Sequence, residues 1–290
     1  MEHPLTKKHH YIPEFFIKNF CDEDGKIYIY DKLTKRYLGK KSPGGIFYEM
    51  HRNTIDINGT KTDNFEKLYS ALDDRFAKAI IRVITTKVLN VEEDLMSLLL
   101  FASTLKWRVP AIDASFKELK ENLKYEDLPI TIKPVDKNDE VNAEMLDHII
   151  NSNAFKESMR TIIPSIPFLK SGEKLLGYND GSFIYTDERI ISVLGDCGLV
   201  EIQGGAFDEL NSFVMPLSSH TTFVYKAGNR RSIKSLAFFM ARDLLSVHRS
   251  ERYVGCKSKE HLENVINTYN GVSDKRSADA LEHVLFEDIS

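Results

Sequence analysis

The chain is poor in cysteine: Cys21, Cys197 and Cys256 are the only three in 290 residues. They are odd in number and form no Cys-x-x-Cys pair, which argues against a disulfide framework or a thiolate zinc site and fits a reducing compartment. A basic excess is also missing. The 39 Lys and Arg stand against 43 Asp and Glu, for a formal charge of -4, so a dedicated nucleic-acid binder is disfavoured while a local basic groove stays compatible. No apolar run reaches the length of a membrane span, and Met1-Glu2-His3-Pro4 does not begin a charged-then-apolar signal. The expectation is a cytoplasmic protein that uses no membrane. Walker, Gly-x-Gly-x-x-Gly, His-Glu-x-x-His and Gly-x-Ser-x-Gly motifs are absent as well. P-loop hydrolysis, zinc proteolysis and α/β-hydrolase chemistry are thereby disfavoured, and a thiol enzyme centred on Cys21 depends on geometry alone.

What the chain does have is an ordinary globular composition, 42% hydrophobic and 28% charged, with 17 Phe and 12 Tyr to fill a core. Pro13 suits a first helical turn, and Phe16, Ile17 and Phe20 follow at helical spacing, predicting a short helix over 13–20. Alternation over 26–31 and 36–40 predicts two strands joined by a turn, with further short strands at 46–48 and 54–57. Asp63 with Glu66 reads as a capping box, and Asn90 with Glu93 repeats it. Phe65, Leu68, Tyr69, Leu72, Phe76, Ile80 and Val83 share one helical face. Leu95 to Leu105 is apolar almost all round, the mark of a central buried helix, ended by Trp107-Arg108-Val109-Pro110 because proline disfavours helix at Val109. A helix over 111–123 comes next.

Residues 125–140 read as a surface loop or hinge between an N-terminal part (1–124) and a C-terminal part (141–270). A helix over 141–159 leads to strands at about 173–178, 182–186, 190–194, 198–202, 211–216 and 220–226. A long helix over 231–248, a strand at 251–255 and a helix over 258–268 follow, before a polar tail at 271–290. Blocks of strands separated by helices indicate an α+β fold. We expect a small N-terminal antiparallel sheet, a central helical bundle and a C-terminal antiparallel sheet backed by a long helix, in one compact domain over 1–270.

The densest stretch runs from Lys8-His9-His10-Tyr11-Ile12-Pro13-Glu14-Phe15-Phe16 to Phe20. It resembles the opening signature of a largely bacterial family, domain of unknown function 4238: His-(Tyr/Phe)-(Val/Ile)-Pro and then an aromatic-rich turn ending in Phe. Phe65-Glu66, Arg108-Val109-Pro110, Phe183-Ile184-Tyr185-Thr186-Asp187 and Phe213 to Ser218 are similar to later family segments, in order. One departure stands out, for Glu188-Arg189 follows Asp187 where the family commonly has Asn-Pro. The resemblance covers about residues 7–255. It implies no established activity, only that these segments meet in one fold.

Chemistry is concentrated at a few residues. His9 and His10 are adjacent, so in regular structure they point different ways. His10 and Glu14 straddle the helix start, where an imidazole can act as a base, pair with a carboxylate or contribute a metal ligand; the plainer reading is a hydrogen-bonded helix-entry turn. Arg108, beside the single tryptophan, must be paired if buried, with Glu66 or Asp187 as expected partners, or it clamps a phosphate or carboxylate. Asp187 ends a strand, either aimed into a site or capping a turn. With Glu201-Ile202-Gln203 it outlines a restriction-type nuclease, though without the usual lysine. Arg230, Arg231, Lys234, Arg242, Arg249 and Arg252 either line a phosphate-binding face or form the solvated side of a helix.

Two readings follow. In one, His10, Glu14 and Asp187 are catalytic and His9 and Arg108 bind substrate in a metal-dependent nuclease or other phosphoester-acting enzyme. Such an enzyme would use Mg or Mn, and would serve bacteria against phage or mobile DNA with nucleic acid as its partner. In the other, the same residues are structural in a non-catalytic ligand- or partner-binding protein. Convergence on one open cleft separates them.

Overall fold

The computed structural model describes residues 5–57, 59–88, 91–122, 124, 142–166, 168, 181–203, 210–225, 235–272 and 274–286. The N-terminal part runs β1 (Lys8–His10), α1 (Glu14–Lys18), β2 (Ile27–Asp31), β3 (Arg36–Lys41), β4 (Tyr48–Met50), β5 (Ile55–Ile57) and β6 (Thr60–Thr62). The central helices are α2 (Asn64–Thr86), α3 (Val91–Arg108), α4 (Asp113–Asn122), α5 (Ala143–Asn151) and α6 (Asn153–Ile162). The C-terminal part holds β7 (Gly181–Tyr185), β8 (Leu194–Gly195), β9 (Val200–Glu201), β10 (Phe213–Ser218) and β11 (Thr221–Tyr225). It closes with α7 (Leu236–Arg249), β12 (Tyr253–Cys256), α8 (Lys259–Gly271) and α9 (Lys275–Phe286). The architecture is mixed α+β, with small N-terminal sheets, central helices and a C-terminal antiparallel sheet with helices.

Sheet order ties the ends of the chain together. The hairpin β2–β3 is extended by β12 and then β8, so N- and C-terminal strands share one four-stranded sheet. The other four-stranded sheet has the order β7-β11-β10-β9. Every residue of β10 and β11 is buried, as expected when a sheet is covered on both faces. Their side chains alternate. Phe213, Met215, Leu217, Phe223 and Tyr225 enter the core shared with α1, α2 and α3, while Val214 and Val224 pack with Phe238, Ala241 and Leu245 of α7.

Helix α3 is largely enclosed, so Asp94, Lys106 and Arg108 lie inside, and each is paired. Asp94 sits 3.3 Å from Arg82, Lys106 2.8 Å from Glu201 and Arg108 2.9 Å from Asp73. A second polar fastening joins α7 to the shared sheet. Asp196 accepts from the backbone N–H groups of Glu251, Arg252 and Tyr253 at 2.7–2.8 Å. Lys32 donates to the carbonyls of Val247 (2.6 Å), His248 and Ser250 at the C-terminal end of α7, where a cation is favoured.

Several expectations are corrected. The helix over 141–159 is two helices, because Ser152 is extended (ψ 143°) and caps α6 through Phe155 N–H. The Asp63–Glu66 capping box does not form: Asp63 pairs with Lys67 and Thr6, and Glu66 accepts from Asn53 instead. Leu68, counted on the inner face of α2, is exposed. The strands at 190–194 and 198–202 shrink to two residues each. The polar tail contains α9, whose Ala278, Leu285 and Phe286 are buried, with α9 packed on α7. The stripe 278-281-285 is helical spacing that the surrounding charges disguise. Asn90, the hinge at 125–140, the strand at 173–178, and Arg230, Arg231 and Lys234 lie outside the described residues.

Among the described residues no single helix is long and apolar enough to cross a membrane; the bent α3–α4 pair has the length and composition, but α3 is core.

Gly198 has φ +72°, and a Cβ there would run into the Leu105 side chain of α3. Gly198→Ala should therefore cost about 2–4 kcal/mol in urea denaturation, from left-handed strain plus overpacking. Unchanged stability would contradict this packing of the turn on α3.

Candidate functional site: a polar core beside an arginine-lined pocket

Pairing of β1 with β4 sets His9 opposite Glu49 and His10 opposite Tyr48. Neighbours on a strand face opposite ways, and the two imidazoles do take different partners. His9 is fully buried. Its Nε2 lies 2.9 Å from the Thr6 carbonyl, which makes it the donor, and its Nδ1 accepts from Asn53 N–H at 2.8 Å. Both nitrogens are thus engaged, leaving none for a substrate. Asn53 continues the chain of contacts by donating to Glu66 at 2.7 Å.

His10 stands against the Tyr48 ring with its Nδ1 3.6 Å from a Glu14 oxygen, and its side chain is 11% exposed. Burial pushes its pKa below the usual imidazole value; Glu14 and Glu66 oppose the shift and Arg108 adds to it. Its buried Nε2 makes no well-formed hydrogen bond among the described residues, and the Pro43 carbonyl is near enough to oppose the shift as well. A Cβ on Gly44 would come within 3.2 Å of the Glu14 carboxylate.

Arg108 is 3% exposed. Its Nη1 donates to both oxygens of Asp73 at 2.9 Å, and its guanidinium lies 4.5 Å from the centre of the Tyr69 ring. The expected partners Glu66 and Asp187 are therefore replaced by Asp73. Burial pushes the Asp73 carboxyl up, and Arg108 opposes that shift. The Nε of Arg108 and the hydroxyl of Tyr69, itself buried, are without hydrogen-bond partners among the described residues.

A cavity of about 220 Å³ opens beside this core, lined by Arg52, Asn53, Tyr69, Asp113, Arg160 and Glu49 among others. Two guanidiniums meet at one carboxylate there. Arg52 donates to the two oxygens of Asp113 at 2.6 and 2.9 Å, and Arg160 to one of them at 2.7 Å. Arg52 also holds Glu49 and the Arg108 carbonyl, while the Arg160 guanidinium carbon lies over the Phe116 ring, 4.4 Å from its centre. Partial burial works to raise the Asp113 pKa, but the two arginines outweigh it and hold the carboxyl below its ordinary range.

Asp187 is elsewhere. It is exposed beyond β7, paired with Arg189 at 2.6 Å, and its carbonyl lies 3.1 Å from His220 Nδ1, so it makes none of its contacts with His10, Glu14 or Arg108. Glu201 lies on β9 at the opposite edge of that sheet from β7, three strand spacings or about 14 Å across, and is bound to Lys106. The nuclease outline of Asp187 with Glu201 and Gln203 is not assembled. Of the basic residues expected on a phosphate-binding face, the described Arg242, Arg249 and Arg252 pair with Asp243, Glu282 and Asp31. Among the described residues no group of three or more His, Cys, Asp or Glu could hold a metal ion. Burial pushes the Cys21 thiol up to about 11, the reverse of an activated nucleophile.

Asp73, Asp113, Arg52 and Arg160 escaped notice in the sequence. Asp73 had a signal, since the buried stripe Tyr69-Phe76-Ile80-Val83 of α2 passes through position 73 at four- and three-residue steps. Asp113, Arg52 and Arg160 come together from three separate elements and had none.

The fold and this site define a mixed α+β protein with a closed polar core flanked by a small arginine-lined cavity. The chain belongs to the family described as Protein of unknown function (DUF4238), which matches residues 8–243. No curated protein and no solved structure matches it.

Because the folded-state pKa of His10 lies below 6.5, the unfolded chain binds more protons just below that pH. Stability should then be fully present above pH 6.5 and fall as pH drops, by up to about 1.4 kcal/mol per pH unit, levelling off once folded His10 protonates. Urea denaturation from pH 7.5 downward should show a shallower slope in His10→Gln. Identical slopes would contradict the buried neutral imidazole.

Proposed function

We propose that this protein is a non-catalytic ligand-binding protein in which His9, His10, Glu14 and Arg108 fix a polar core. The observation that carries this reading is the Arg108–Asp73 pair. The guanidinium expected to clamp substrate is buried, and its Nη1 donates to both oxygens of the Asp73 carboxylate. His9 supports it, with both ring nitrogens engaged by the backbone, as does the distant, exposed Asp187. The adjoining cavity offers the place for a ligand. We propose a cytoplasmic protein whose partner is a small molecule.

A second reading keeps one supporting observation. His10, with an unpartnered buried Nε2 beside Glu14, is placed as a base would be in a metal-dependent nuclease or other phosphoester-acting enzyme of phage defence. A screen for nuclease and phosphatase activity with Mg²⁺ or Mn²⁺, wild type beside His10→Ala, decides between the two. Neither protein should hydrolyse any substrate. Hydrolysis by wild type that disappears in His10→Ala would sink the non-catalytic reading.

A further inference from the structure

The cavity beside the polar core is built unlike an ordinary surface ion pair. Arg52 and Arg160 come from opposite sides, from the segment after β4 and from α6, and converge on Asp113. Both are held in place independently of it. Arg52 is anchored by the Arg108 carbonyl and Glu49, and Arg160 by the Phe116 ring. Asp113 differs: its side chain is 43% exposed and it stands in the first turn of α4, so rotating it into water moves no backbone. Tyr69 also lines the cavity, 1% exposed with its hydroxyl unpartnered. A buried hydroxyl without a partner calls for one.

We propose that Asp113 stands in for the anionic group of a ligand, and that this cavity binds a small phosphate-bearing molecule whose phosphate takes its place between Arg52 and Arg160. Phosphate fits better than a second carboxylate. Asp113 already supplies two oxygens to the arginines, whereas a phosphate presents further oxygens to the remaining N–H groups of Arg160. Glu49 and Glu157 on the wall limit the ligand to one compact anionic group, since a larger polyanion would meet them. This inference rests on the ligand-binding reading above and names its ligand class.

The test is titration calorimetry with inorganic phosphate, and with acetate at matched ionic strength, on wild type, Asp113→Asn and Arg160→Gln. Phosphate should bind wild type, bind Asp113→Asn about tenfold more tightly because the competing charge is gone, and bind Arg160→Gln at least about tenfold more weakly. Absence of phosphate binding in both wild type and a folded Asp113→Asn would overturn the proposal. So would unchanged affinity in Arg160→Gln, or acetate binding as tightly as phosphate. Should Asp113→Asn not fold, the phosphate-dependent rise in melting temperature decides it. A rise in wild type that is absent in Arg160→Gln supports the site; an equal rise, or none in either, overturns it. The two readings fail separately. Hydrolysis that depends on His10 leaves the phosphate site standing, and missing phosphate affinity leaves the non-catalytic reading standing.

Discussion

The ion pair between Arg108 and Asp73 is the constraint around which the middle of this protein is arranged. A guanidinium at the end of an enclosed helix is tolerable only if its charge is met inside, because an uncompensated buried charge costs several kcal/mol. That requirement fixes the rotation of α2 against α3, since Asp73 must face inward between Tyr69 and Phe76. Tyr69 then lies under the guanidinium, and the Arg108 carbonyl accepts from Arg52. Arg52 in turn organises Glu49 and Asp113. One ion pair thus connects the helical core to the small N-terminal sheet and to the wall of the cavity.

The signature at the N-terminus belongs to the same arrangement. His9 joins Thr6 to Asn53, Asn53 reaches Glu66, and Glu66 and Arg108 both act electrostatically on His10. Adjacent residues of one strand serve two purposes: His9 is a fully bonded cross-brace, whereas His10 is kept neutral by burial. The density of imidazole, carboxylate and aromatic groups therefore has a structural explanation that needs no reaction. At the border of this network lies the cavity, where the carboxylate between two arginines is half exposed rather than sealed.

The parts legible in the sequence were those set by local periodicity. The all-round apolar run of α3, the inner face of α2 apart from the exposed Leu68, and the hairpin β2–β3 each follow from spacing, and all are present. The two histidines were expected to diverge, and they do. What escaped was pairing between distant segments. Nothing local says that β12 and β8 complete the β2–β3 sheet, that Arg108 takes Asp73 over Glu66 or Asp187, or that Arg52, Asp113 and Arg160 meet. Asp187 looked like a site residue because it ends a strand, yet β7 is an edge strand and its carboxylate turns to Arg189 in solvent. Polar residues outnumbering a thin apolar stripe hid α9 in the same way.

Arg108 acts as an internal structural partner of Asp73 and not as a free ligand-binding cation. A double-mutant cycle with Arg108→Met, Asp73→Leu and the pair combined, followed by urea denaturation, tests that directly. Each single variant should lose about 3–5 kcal/mol by stranding one buried charge, and the double variant should recover most of the loss because both charges are gone. Wild-type stability in Arg108→Met alone, with no coupling in the cycle, would contradict it.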